Sequence, residues 1–209
     1  MSFVFNFKGN EVVFIHIPKN AGSSLSVSLD RYNPHLKNPT RRPNNSFVYH
    51  HTYLETHKLF EKNIDRNYFA ISRNPWDRAV SFYSYIQQEP GCGAPDIHEK
   101  INNQNLTFEN FIDIYTNDKR DFFRPQMKYI TNENSKVVVD VLRLENINEE
   151  IIDYLSRFKV DDIKLAKINT SKHVHYSSFY DSNELIEKVA KFEEGIIDYH
   201  NYKFEKIKL

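Results

Sequence analysis

Cysteine is almost absent: Cys92, flanked by Gly91 and Gly93, is the one thiol among 209 residues. A lone thiol forms no internal disulfide and no multi-thiolate metal site, and it fits a reducing compartment. Net charge is lacking as well, since 28 Lys and Arg are balanced by 28 Asp and Glu. That balance excludes the global basic field with which proteins hold duplex nucleic acid, so any anion site must be local. No apolar run approaches the length that spans a bilayer. The start, Met1-Ser2-Phe3-Val4-Phe5-Asn6-Phe7-Lys8, has no basic region followed by a long apolar core and small-residue cleavage site, so it does not read as a signal peptide. These features predict a soluble, cytoplasmic protein. No G-x-x-x-x-G-K-[ST] run occurs, which argues against an ordinary nucleoside triphosphate loop, and no His/Asp/Glu cluster with ligand spacing calls for a metal.

What is present is a globular composition, 40% hydrophobic and 27% charged, in a chain long enough for one domain over 1–209 with a sizeable core. Val12–Ile17, Tyr68–Ser72 and Val137–Leu144 read as strands, the first and third rich in β-branched residues. Each precedes a helical segment: Ser23–Asp30, Trp76–Gln87 and Ile147–Phe158. Repeated strand-then-helix order predicts an α/β fold with a central parallel sheet flanked by helices. Thr52, with Glu55 three residues on, predicts a capping box at the start of a segment Tyr53–Lys62. Asn33–Asn45, with its prolines and asparagines, and Glu89–Asp96, with its glycines and prolines, read as loops. After Asn169 the chain reads as loop and then helix, with Leu185, Val189 and Phe192 at helical spacing up to Gly195.

The most informative stretch is His16-Ile17-Pro18-Lys19-Asn20-Ala21-Gly22-Ser23-Ser24. A strand, a tight turn and a helix start in that order offer backbone amides to an anion. Lys19 adds a charge, and the hydroxyls of Ser23 and Ser24 add donors. A phosphate-like group suits that set. The competing reading is an ordinary strand-to-helix turn, with His16 a hydrogen-bonded core histidine.

A second unit has the same form: Tyr68-Phe69-Ala70-Ile71-Ser72 leads into Arg73-Asn74-Pro75-Trp76-Asp77-Arg78-Ala79-Val80-Ser81. Pro75 sits where the first turn of a helix tolerates it. Arg73 at the strand's carboxyl end and Ser81, about two helical turns on, together suit a second phosphate, gripped by a guanidinium fork and a hydroxyl. The competing readings make Arg73 an ion-pair partner of Asp77 and Arg78 a structural ion-pair residue.

With both stretches in hand, the sequence resembles the sulfotransferases that use 3'-phosphoadenosine 5'-phosphosulfate (PAPS), and within them the carbohydrate sulfotransferase branch. The resemblance implies a P-loop nucleotide-binding (sulfotransferase-like) fold. It also implies that Lys19, Asn20, Ala21, Gly22, Ser23 and Ser24 bind the 5'-phosphosulfate, and that Arg73 and Ser81 bind the 3'-phosphate. It extends more loosely through Gln126, Arg143-Leu144-Glu145-Asn146 and Asn169-Thr170-Ser171-Lys172. One departure is Asn20, where many members carry threonine; the amides and Lys19 are kept.

The implied activity is transfer of a sulfuryl group from PAPS as co-substrate, without metal, to an acceptor hydroxyl on a carbohydrate, releasing adenosine 3',5'-bisphosphate. Lys19 is the candidate to meet charge on the leaving phosphate. An acceptor hydroxyl needs a base. In the family a histidine begins a short stretch resembling His50-His51-Thr52-Tyr53. Alignment on the threonine puts His50 at that position, with His51 next and Glu55 third. Two other functions stand beside this one: a nucleotide-binding protein without transfer activity, and a P-loop nucleotide kinase.

Overall fold

The computed structural model describes residues 3–32, 50–59, 66–90, 94–160, 163, 165 and 174–207. Asn33–Asn45, Asn169–Lys172, Cys92 and His173 lie outside the described residues. In chain order the elements are β1 (Phe3–Phe7), β2 (Asn10–Ile15), α1 (Gly22–Ser28), α2 (Tyr53–His57), β3 (Asn67–Ser72), α3 (Pro75–Gln88), α4 (Pro95–Asn103), α5 (Phe108–Asn117), α6 (Met127–Ile130), β4 (Asp140–Arg143), α7 (Ile147–Ser156), α8 (Asn183–Phe192) and α9 (Glu194–His200). The contacts divide the chain into two compact units, one from 1–73 and 126–169, the other from 74–125 and 170–209.

The first unit holds a mixed sheet in the order β1-β2-β3-β4. β2, β3 and β4 run parallel, as the strand-then-helix order predicts, with Phe14 opposite Phe69 and Ala70 opposite Val141. β1 is an antiparallel edge strand, an addition to the three strands expected from the sequence. Its cue is short: Phe3, Phe5 and Phe7 alternate, and Lys8-Gly9 turns the chain. Both turn residues have positive φ, 51° and 94°, the geometry that matches a two-residue hairpin to strand twist. The Asn6 side chain accepts from Gly9 N–H at 2.8 Å and holds the turn.

Burial separates edge from centre. In β1 Phe5 and Phe7 are buried while Asn6 is exposed, whereas every residue of β3 from Tyr68 to Ser72 is buried. A strand covered on both faces reads as a continuous apolar run, which is why β3 is so legible. Phe5, Phe7, Val12, Phe14, Phe69 and Leu142 pack with Leu25 of α1 and Tyr154 of α7 in one core. The strand read at Val137–Leu144 is shorter than expected. Val137 instead bridges antiparallel to Thr131, and Val138 N–H donates to Ile130 O at 3.1 Å, so that half folds back beside α6.

The second unit is helical. The buried face of α3 (Trp76, Ala79, Val80, Phe82, Ile86) packs in a core with Phe111, Ile112 and Tyr115 of α5 and Leu185 and Val189 of α8. Thr107 and Ser182 cap α5 and α8 through their hydroxyls. At the centre Arg78, fully buried, meets Glu193, also buried, at 2.5 Å. Tyr115 Oη accepts from Arg78 and donates to Glu193 at 2.9 and 3.0 Å, and burial pushes the Tyr115 hydroxyl well above the usual tyrosine range. Arg78 is thus a structural ion-pair residue, as its competing reading had it. Glu193→Ala leaves that guanidinium buried without its carboxylate, and a loss of about 3–5 kcal/mol in unfolding free energy is expected by chemical denaturation.

Candidate functional site

β2 ends at Ile15, and the chain turns through Pro18-Lys19-Asn20 into α1. Asn20 N–H donates to Ile17 O at 3.3 Å and closes the turn. Lys19 and Ala21 both have left-handed backbones, with φ of 68° and 58°. A non-glycine residue in that region costs about 1–3 kcal/mol, and such outliers gather where a loop must hold a special shape. Ala21 occupies the N-cap of α1 and no side chain caps that helix. Lys19 is half-buried, Ser23 is exposed and Ser24 is buried.

Gly22 has a steric reason to be glycine. A Cβ there would stand 2.0 Å from Cδ2 and Nε2 of His16. The His16 ring therefore lies against the loop's backbone and fills the place of a side chain. His16 keeps some surface exposure as a residue, but its ring is closed in by Gly22, Phe3, Phe14 and His50. Desolvation first, then the charges of His50 and Lys19, hold its pKa well below the usual histidine value.

His50 stands with its ring edge to His16, the centroids 4.5 Å apart. Its Nδ1 lies 3.1 Å from His16 O. A carbonyl only accepts, so Nδ1 carries the proton and the Nε2 lone pair is the basic site. His51 is half-buried beside it. The expected capping box is present: Thr52 Oγ1 accepts from Glu55 N–H at 3.2 Å, and Glu55 Oε2 accepts from Thr52 N–H at 2.8 Å. That carboxylate is committed to the helix end, which demotes Glu55 as a base. α2 itself is shorter than the segment read from sequence, closing at His57.

Arg73 follows the last residue of β3. Its Nη1 donates to Lys19 O at 2.9 Å, so the guanidinium reaches the Lys19 turn. Ser81 belongs to the second unit, where it is buried on α3. Asn74 caps that helix, its Oδ1 accepting from the amides of Trp76 and Asp77 at 3.1 and 3.3 Å. The Asn74-Pro75 order is a readable signal for this cap. Gln126 carries no such local signal, and only the looser part of the family resemblance passes through it. It is fully buried, and its amide joins Arg73 and Asn20. Among the described residues no group of three or more His, Cys, Asp or Glu side chains suits a metal ion. Among those residues no helix is long and apolar enough to cross a membrane.

Known proteins bear on this geometry. A family model described as the sulfotransferase family matches residues 4–198. None of the curated proteins matches the chain. Among solved structures the chain is similar to mouse sulfotransferase SULT7A1 complexed with PAP, at 15% identity and a TM-score of 0.43 over 92% of this chain and 67% of that one. The family match spans nearly all of the chain, and the chain belongs to the sulfotransferase family. It is a sulfotransferase, an enzyme of sulfuryl transfer.

The histidine beneath the loop ties stability to pH. His16 binds a proton less readily folded than unfolded, so stability is full above about pH 6.5 and falls as the pH drops from there toward the folded-state pKa. A Tm that declines on acidification over this range is expected, with a shallower decline in His16→Phe by differential scanning calorimetry.

Proposed function

We propose that this sulfotransferase moves the sulfuryl group of PAPS onto a hydroxyl of a carbohydrate acceptor and releases adenosine 3',5'-bisphosphate, working as one sulfotransferase-like domain over 1–209 with a P-loop type nucleotide site. The observation that carries the reading is the 2.9 Å contact from Arg73 Nη1 to Lys19 O, which joins the cation of the second motif to the loop of the first. The donor set fits an anion: an ammonium, a guanidinium, an exposed Ser23 hydroxyl and a turn held in an unusual backbone shape. Lys19, Asn20, Ala21, Gly22, Ser23 and Ser24 would hold the 5'-phosphosulfate. The Asn20 side chain is spent on Ile71 and Gln126, so that residue contributes through its backbone. Arg73 and Ser81 would hold the 3'-phosphate.

In the transfer the acceptor oxygen bonds to sulfur as the bond from sulfur to the 5'-phosphate oxygen breaks, and the acceptor proton goes to a base. Lys19 meets the charge gathering on the leaving phosphate. His50 is the base: its Nδ1 lies against the His16 carbonyl, which leaves Nε2 as the basic nitrogen of the ring. The same backbone bond fixes the ring's tautomer and orientation. A carbohydrate as acceptor is supported by the likeness of His50-His51-Thr52-Tyr53 to the stretch that carries the base in carbohydrate members.

Isothermal titration with adenosine 3',5'-bisphosphate tests the nucleotide half: Arg73→Ala is expected to weaken binding by roughly 10–100-fold, the loss of a charge-assisted contact. Turnover tests the chemistry. Lys19→Ala should cut kcat by roughly 10²–10³. His50→Ala should cut it by roughly 10²–10⁴ and abolish the acid limb of the kcat/KM profile. If His51→Ala removes that limb and His50→Ala does not, the base is His51. If neither variant alters turnover, the histidine mechanism is wrong.

A further inference from the structure

Gln126 is the N-cap residue of α6, yet its side chain makes no capping bond. Its amide is spent elsewhere. Oε1 accepts from Arg73 N–H at 2.9 Å and from Asn20 Nδ2 at 2.7 Å, and Nε2 donates to Arg73 O at 2.9 Å. A side-chain amide that takes both the N–H and the C=O of one residue acts as a strand neighbour would. It does so one residue past Ser72, where the pairing of β3 with β4 stops.

Asn20 completes the arrangement. It is fully buried, and Nδ2 spends its hydrogens on Ile71 O and Gln126 Oε1, each at 2.7 Å. Both partners are acceptors, so the amide can point only one way. Its Oδ1 is left buried with no hydrogen-bond partner among the described residues. Apolar packing would avoid that orphaned oxygen, so the residue is better explained by where it holds the chain than by stability. What it holds is the turn between Lys19 and Ala21, both in left-handed conformation.

We propose that Gln126 is a positioning residue for the nucleotide site: through Asn20 it fixes the strained Lys19 turn, and through Arg73 it fixes the backbone from which the guanidinium reaches that turn. The inference rests on the reading of Lys19 and Arg73 as nucleotide ligands. One buried amide sets the spacing of two cations on different loops, so a change at Gln126 alters both grips at once without touching the nucleotide.

The test is the affinity for adenosine 3',5'-bisphosphate, measured by calorimetry at a temperature where circular dichroism shows each variant folded, alongside the Tm without nucleotide. Gln126→Met keeps the volume and removes every polar bond. It is expected to weaken binding at least about tenfold, and to make a further Lys19→Ala change cost less than it does alone, because the turn has already lost its setting. Gln126→Glu keeps an acceptor for Arg73 N–H and Asn20 Nδ2 but buries a charge and sets a second carboxylate oxygen against Arg73 O; should Gln126→Met not fold, this variant is read the same way, with weaker binding again expected. A lower Tm with affinity unchanged within about twofold in the folded protein would make Gln126 merely structural and overturn the inference. If Lys19→Ala and Arg73→Ala also leave affinity unchanged, the nucleotide site itself is misassigned; if they weaken it and Gln126→Met does not, only the inference fails.

Discussion

Parallel pairing of β2 with β3 is the constraint on which the site depends. Parallel neighbours end at the same edge of a sheet, so the loops that leave their carboxyl ends meet, and ligands of open α/β sheets bind there. Val12 opposite Asn67 and Ile15 opposite Ala70 set that register. Arg73 then emerges beside Lys19 and bonds its carbonyl. An antiparallel arrangement would send the two cationic loops to opposite edges, and no local adjustment would bring them back.

The loop that results is strained and is held from three sides. Beneath it lies the His16 ring, tolerable only because residue 22 has no Cβ. Beside it, Asn20 is anchored to β3 at Ile71 O, and Arg73 reaches across to the Lys19 carbonyl. Each restraint comes from a side chain that also has a chemical neighbour. The residue under the loop supplies, through its backbone oxygen, the partner that fixes the tautomer of His50. A small set of contacts therefore shapes the Lys19 loop and orients the His50 ring, the two parts of the proposed site.

Much of this was legible in the sequence, for identifiable reasons. Strands such as β3, buried along nearly their whole length, advertise themselves as apolar runs, and Thr52 with Glu55 advertises a cap because both members lie within four residues. β1 is hard to read because three alternating phenylalanines in a five-residue edge strand are a weak signal. The strand near Val137 was read too long because β-branched composition records burial, and Val137 and Val138 satisfy their backbone beside α6. The partner of Arg78 is not legible in the sequence, because Glu193 lies far along the chain and is brought in by packing. For the proposed site, residue types and order point to Lys19 and Arg73, whereas His50, with His51 next, comes only from the family resemblance. Asn20 looked like a lost hydroxyl, and only its contacts with Ile71 and Gln126 show the work that its amide does.

The central claim is that the Lys19 loop and Arg73 together form a site for a nucleotide bearing phosphate at both the 3' and 5' positions. Titration of the purified protein in parallel with adenosine 3',5'-bisphosphate and with ATP plus Mg²⁺ tests it most directly. Micromolar or tighter binding of the bisphosphate, with clearly weaker binding of ATP, is the result the account predicts. A preference for ATP, or no binding of the bisphosphate, would contradict it.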